Sequence, residues 1–109
     1  MDEKELLEII DRADKEKWTK LDLSGKGIKS LPKEIGQLTN LVRLWIHNNQ
    51  LTSVPKELSR LTNLILLCLS YNQLMIVPKE LNKLNNLTEL WLQANQLTIV
   101  PKELSKLKN

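Results

Sequence analysis

Residues 41–63 read LVRLWIHNNQLTSVPKELSRLTN, and residues 64–86, LILLCLSYNQLMIVPKELNKLNN, repeat their pattern with no residue between. Residues 18–40, WTKLDLSGKGIKSLPKEIGQLTN, and 87–109, LTELWLQANQLTIVPKELSKLKN, extend it in both directions. The four prolines of the chain, Pro32, Pro55, Pro78 and Pro101, mark a period of 23. The shared pattern is L-x-x-L-x-L-x-x-N-x-L-x-x-[LV]-P-K-E-[LI]-x-x-L-x-N. Four such units without insertion predict an array in which each unit contacts its neighbours.

Each unit divides by its periodicities. From Leu44 to Ile46, Leu67 to Leu69 and Leu90 to Leu92, apolar residues alternate with period two. That spacing predicts a short strand with those side chains inward and the intervening ones on the opposite face. Asn49, Asn72 and Asn95 stand where the chain leaves the strand. There an amide can bond the turn and the neighbouring unit, which a buried turn needs. After the proline, Leu58 to Leu61, Leu81 to Leu84 and Leu104 to Leu107 are one helical turn apart. Proline is tolerated at such a start because the N–H it lacks is unpaired there anyway.

Each unit points about seven apolar side chains inward, worth roughly 10–20 kcal/mol at about 1.5–3 kcal/mol each. Ordering 23 residues costs more than this, at roughly 1–2 kcal/mol per residue for the backbone alone. A single unit therefore cannot fold, and stability comes from stacking.

The pattern resembles the leucine-rich repeat family across residues 18–109. Within it, the chain is similar to the 23-residue L-P-x-x-[IL] subclass of bacterial, plant Ras-group and Roco proteins. The first unit departs twice, with Trp18 for the opening leucine and Lys26 for the asparagine. The resemblance implies an α/β solenoid of four stacked repeats (18–40, 41–63, 64–86 and 87–109) with a short parallel sheet on its concave face. It also implies a protein ligand, with a small GTPase or GTPase domain among the candidates.

Residues 1–17 lie outside the register. Leu6, Leu7, Ile9, Ile10 and Ala13 form an apolar stripe among charges, which predicts an amphipathic helix. We read it as a cap on unit one, with Trp18 beginning the stack; the resemblance implies such a helix too. Its acidic face argues against an anionic membrane. At the other end the register stops at Asn109, and the far side of unit four is left uncovered. The expectation is a fragment of a longer array, with a homodimer through that end as the alternative.

Composition narrows the function classes. The chain has 109 residues, 24 of them leucine, with one cysteine and one histidine. A disulfide framework or a cysteine-rich zinc site is excluded. Residues 1–17 hold seven acids and four bases, a net −3; residues 18–109 hold six acids and twelve bases, a net +6. Four of those bases sit beside an acid in the Pro-Lys-Glu triplets, which reads as a solvated face and argues against nucleic acid. No apolar run approaches a membrane span, and the acidic N-terminus is unlike a signal peptide, so a cytoplasmic location is expected. His47 and Cys68 are the sole nucleophile–base candidates, and no third group orients them. No cofactor is expected, and the chain is read as no enzyme.

The register maps the concave face as columns. These are Lys20, Arg43, Leu66 and Glu89; Asp22, Trp45, Cys68 and Trp91; Ser24, His47, Ser70 and Gln93; and Gly25, Asn48, Tyr71 and Ala94. Trp45 and Trp91, with Leu66, Cys68 and Tyr71 between them, form an apolar and aromatic patch. Lys20, Arg43, Asp22 and Glu89 form its charged rim. Aromatic residues in such a setting are enriched at binding hot spots. The expected function is a protein-binding scaffold anchored by Trp45 and Trp91, with His47 and Gln93 contributing. Its rivals are a self-associating module joined through this patch and the recognition arm of a larger enzyme. Met75, Ile76 and Ile99, where unit one has Lys29 and Ser30, are expected to pack beneath the descending segment, with a secondary contact surface as the alternative.

Overall fold

In the computed structural model, residues 1–98 are described. Ile99, the Leu104–Leu107 turn and the far side of unit four fall outside them. Helix α1 spans Glu3–Lys15 and opens with a capping box: the Glu5 amide donates to Asp2 Oδ1 at 2.8 Å, and the Asp2 amide donates to Glu5 Oε1 at 3.3 Å. Glu3 and Glu5 in its first turn and Arg12 and Lys15 in its last complement the helix dipole. Leu6, Ile10 and Ala13, spaced by one turn, are buried in the same core as Leu21, Leu23 and Ile28 of unit one. The Met1 ammonium donates to the Lys26 carbonyl at 2.8 Å, tying the helix to that unit.

Four three-residue strands follow: β1 (Lys20–Asp22), β2 (Arg43–Trp45), β3 (Leu66–Cys68) and β4 (Glu89–Trp91). They form one parallel sheet in sequential order, each residue paired with the residue 23 positions later. The central leucines, Leu21, Leu44, Leu67 and Leu90, are all buried. Beyond the strands the ladder continues: the Leu23, Ile46 and Leu69 amides each donate to the next unit at 2.8 Å.

On the far side, residues Lys33–Gln37, Lys56–Arg60 and Lys79–Lys83 form 3₁₀ turns. Each follows an extended proline whose carbonyl accepts the amide of Ile35, Leu58 or Leu81. With three residues per turn, residues i and i+3 eclipse. Leu58 and Leu61 therefore both face the core, as do Leu81 and Leu84.

Two asparagine ladders connect the units. Asn49 accepts from the Lys26 and Ile28 amides at 3.1 and 2.9 Å and donates to the Leu23, Ile46 and His47 carbonyls. Asn72 accepts from the Leu51 amide and donates to the Ile46, Leu69 and Ser70 carbonyls. Asn95 holds the matching place between Leu74 and the Leu69, Leu92 and Gln93 carbonyls. Across the molecule, Asn63 donates to the Thr39 carbonyl and Asn86 to the Thr62 carbonyl, both at 2.9 Å. This second ladder uses the asparagine that ends each unit, whose repetition in the sequence is its signal.

Candidate functional site: the concave sheet face

Strand pairing sets the first two columns side by side, Lys20–Arg43–Leu66–Glu89 and Asp22–Trp45–Cys68–Trp91. The next two are held by cross-unit bonds from the Gly25, Asn48 and Tyr71 amides to the His47, Ser70 and Gln93 carbonyls, at 2.9–3.0 Å. Lys20, Asp22, Arg43 and Glu89 are exposed, and Leu66, Trp45 and His47 half-buried.

Cys68 corrects an expectation. Its place between the core residues Leu67 and Leu69 implied exposure, yet it is 9% exposed. Its register partners are Trp45 on one side and Trp91 on the other. At a strand spacing of about 4.8 Å, a tryptophan stands on each side of this much smaller residue.

A hollow of about 360 Å³ lies over units two to four. Cys68, Trp91 and Tyr71 give it apolar surface; His47, Asn48, Ser70 and Gln93 line the rest. Trp45 is not part of its wall, so the two tryptophans anticipated as joint anchors are divided. Several of the polar groups are already oriented. The Ser70 hydroxyl donates to Gln93 Oε1 at 2.8 Å, and Trp91 Nε1 donates to Glu89 Oε1 at 3.3 Å. His47 Nδ1 and Asn48 Oδ1 are 2.7 Å apart. At the unit-one end, the Ser24 amide and hydroxyl both donate to Asp22 Oδ1. The Ser24 hydroxyl, then its amide, holds the Asp22 carboxyl below the usual carboxylate range.

Tyr71 stands out within this wall. Its φ is 58°, in the left-handed region, and its side chain is 61% exposed. Gly25, Asn48 and Ala94 take the same conformation at the equivalent places. Glycine and asparagine adopt it readily, whereas an aromatic side chain does so at a cost.

His47 and Cys68 share no hydrogen bond, and the imidazole is engaged by its neighbour Asn48. Among the described residues no group of three or more His, Cys, Asp or Glu could hold a metal ion. No described helix is long and apolar enough to cross a membrane. Away from the concave face, Met75 and Ile76 are 57% and 58% exposed, contrary to the packing expected of them. Leu74 and Val77 on either side take the inward positions, leaving the intervening pair to solvent.

A family model described as a leucine-rich repeat region matches residues 19–109. A solved leucine-rich-repeat protein of Leptospira interrogans is 44% identical, with a TM-score of 0.83. The match covers 93% of this chain but 25% of that one, so the chain spans about a quarter of its length. No match was found among curated proteins. Leucine-rich repeat domains generally serve as protein-interaction modules. With the 23-residue register, the parallel sheet and the family match in agreement, the chain belongs to the leucine-rich repeat family.

Proposed function

We propose that the protein binds a protein partner through its concave sheet face, at the hollow between Tyr71 and Trp91. The observation that carries this reading is the conformation of Tyr71. A bulky aromatic is kept exposed at a backbone position that favours glycine. Strain of this kind, of order 1–3 kcal/mol, clusters at ligand-binding positions. The hollow beside it is mostly apolar yet open, as the centre of a binding patch is. Nothing in the proposed role requires catalysis or a cofactor. The covered thiol of Cys68 serves as floor, with Trp45 supporting it from the far side.

The relation to the longer Leptospira protein favours a second element of the proposal, that these repeats act as the recognition arm of a larger array. The location proposed is the cytoplasm.

The test is light scattering after size exclusion over a hundredfold concentration range, followed by panning of displayed random dodecapeptides. Both use the wild type and the Tyr71→Gly/Trp91→Ala variant. A monomeric wild type that enriches peptides lost by the variant supports the reading. A wild-type dimer dissociated by the variant replaces it with self-association through this face. Peptides that bind both proteins equally overturn it.

A further inference from the structure

Lys20 and Arg43 are register partners on adjacent strands, and both are exposed. Their backbones are about 4.8 Å apart, so the ammonium and guanidinium groups can converge on one ligand group. Neither is in a salt bridge: among the described residues the one ion pair is Lys15 with Asp11, on α1. The acids on the concave face form no ion pair with Lys20 or Arg43, and their oxygens take neutral donors. Asp22 accepts from the Ser24 amide and hydroxyl, and Glu89 accepts from the Trp91 indole. On units one and two the face thus presents two cations, Lys20 and Arg43, against the single carboxylate of Asp22. Beside them, on units two to four, lies a hollow whose wall carries no Asp, Glu, Lys or Arg.

We propose that the partner segment is an extended acidic peptide. It places an uncharged aromatic or aliphatic side chain in the hollow and a carboxylate across Lys20 and Arg43. This rests on the concave face being the binding surface. The spacing of the two features sets the spacing in the ligand. From the middle of the hollow to the cation pair is about one to two strand spacings across the sheet and about three residues along it, roughly 12 Å, which an extended chain spans in about three to four residues. A carboxylate there pairs with both cations, and Arg43 can hold it by two parallel N–H bonds. An apolar side chain in the hollow meets the faces of Tyr71 and Trp91 and displaces water from the covered thiol. The two features differ in salt response: the charged contact is screened and the apolar one is not.

The experiment uses the dodecapeptides enriched at low salt by the wild-type protein. The expected sequences carry Asp or Glu two to four residues from Trp, Phe, Tyr, Leu or Met. For a synthetic labelled peptide of that class, fluorescence anisotropy is expected to give at least tenfold weaker binding to Lys20→Ser/Arg43→Ser. The salt dependence should disappear in that variant. Tyr71→Gly/Trp91→Ala should weaken binding at least tenfold while the salt dependence persists. Unchanged circular dichroism and urea midpoints for Lys20→Ser/Arg43→Ser confirm that its loss is not unfolding. If the enriched peptides are neutral or basic, and Lys20→Ser/Arg43→Ser binds them like wild type while Tyr71→Gly/Trp91→Ala does not, the acidic ligand is overturned and the concave surface stands. If neither variant changes binding, both fall.

Discussion

Gly36 lies against the backbone of Glu57 in the next unit: a β-carbon on Gly36 would stand 2.7 Å from the Glu57 carbonyl oxygen. Units two and three carry Ser59 and Asn82 at the equivalent position, so the repeat as such does not demand glycine there. The demand is local, set by how closely the first two 3₁₀ turns approach. Because the obstructing atom is backbone, it cannot swing aside. Gly36→Ala is therefore expected to lower stability by about 1–3 kcal/mol, the usual cost of overpacking. Urea denaturation measures it, and an unchanged midpoint would show that the two turns separate freely.

The two asparagine ladders differ in depth and are expected to differ in energy. Asn72 is buried and makes four hydrogen bonds to backbone groups of units two and three. Asn72→Ala strands several of those groups away from water, each costing about 1–3 kcal/mol. We expect a total loss of at least about 3 kcal/mol. Asn63 is exposed and makes one such bond, to the Thr39 carbonyl. Water replaces it readily, so Asn63→Ala should cost about 0.5–1.5 kcal/mol. Equal losses in paired urea titrations would refute the distinction.

What the sequence conveys follows from which interactions repeat. Leu21, Leu44, Leu67 and Leu90 recur every 23 residues because every unit must bury the same positions. The solenoid and its sheet columns were legible for that reason. Features made by one particular neighbour were not. The closeness of Gly36 to Glu57 depends on one pair of turns, and the neighbours of Cys68 across the sheet lie 23 residues away on either side. The 3₁₀ form of the turns was half legible, since a leucine spacing of three suits both helix types. Met75 and Ile76 misled because apolar character was taken for burial, when Leu74 and Val77 already fill the inward positions. The hollow itself arises from side-chain sizes across three units, which no single column reveals.

Ala94 and Tyr71 share a left-handed φ of 58°. For an L-residue that conformation costs about 1–2 kcal/mol, partly offset on changing to glycine by the roughly 0.5–1 kcal/mol entropic cost of glycine. Ala94→Gly and Tyr71→Gly are each expected to raise stability by about 0.5–1 kcal/mol. The pair separates backbone strain from side-chain function. Both variants should unfold at higher urea, while Tyr71→Gly alone loses affinity for the selected peptides. A destabilised Tyr71→Gly would mean that the ring contributes to the fold more than its 61% exposure implies.

Cys68 provides an internal probe of the concave face. Its thiol is 9% exposed and flanked in register by Trp45, half-buried, and Trp91, 40% exposed. Thiolate reagents need access, so in the native protein the thiol should react slowly. In the Trp45→Ala/Trp91→Ala variant both flanks are cut back to a methyl group, and the rate is expected to rise at least tenfold. The variant should lose about 1–2 kcal/mol of stability and remain folded, because neither indole belongs to the leucine core. Leu67→Ala, by contrast, removes a side chain with no exposure and should cost about 2–5 kcal/mol. Reaction with a chromogenic disulfide, followed alongside urea unfolding, distinguishes local uncovering from global opening. If Trp45→Ala/Trp91→Ala speeds the reaction while its urea midpoint falls only slightly, the tryptophans act as the cover. If the rate rises only in proportion to the unfolded fraction, the thiol is shielded by the fold as a whole and the flanking indoles are incidental.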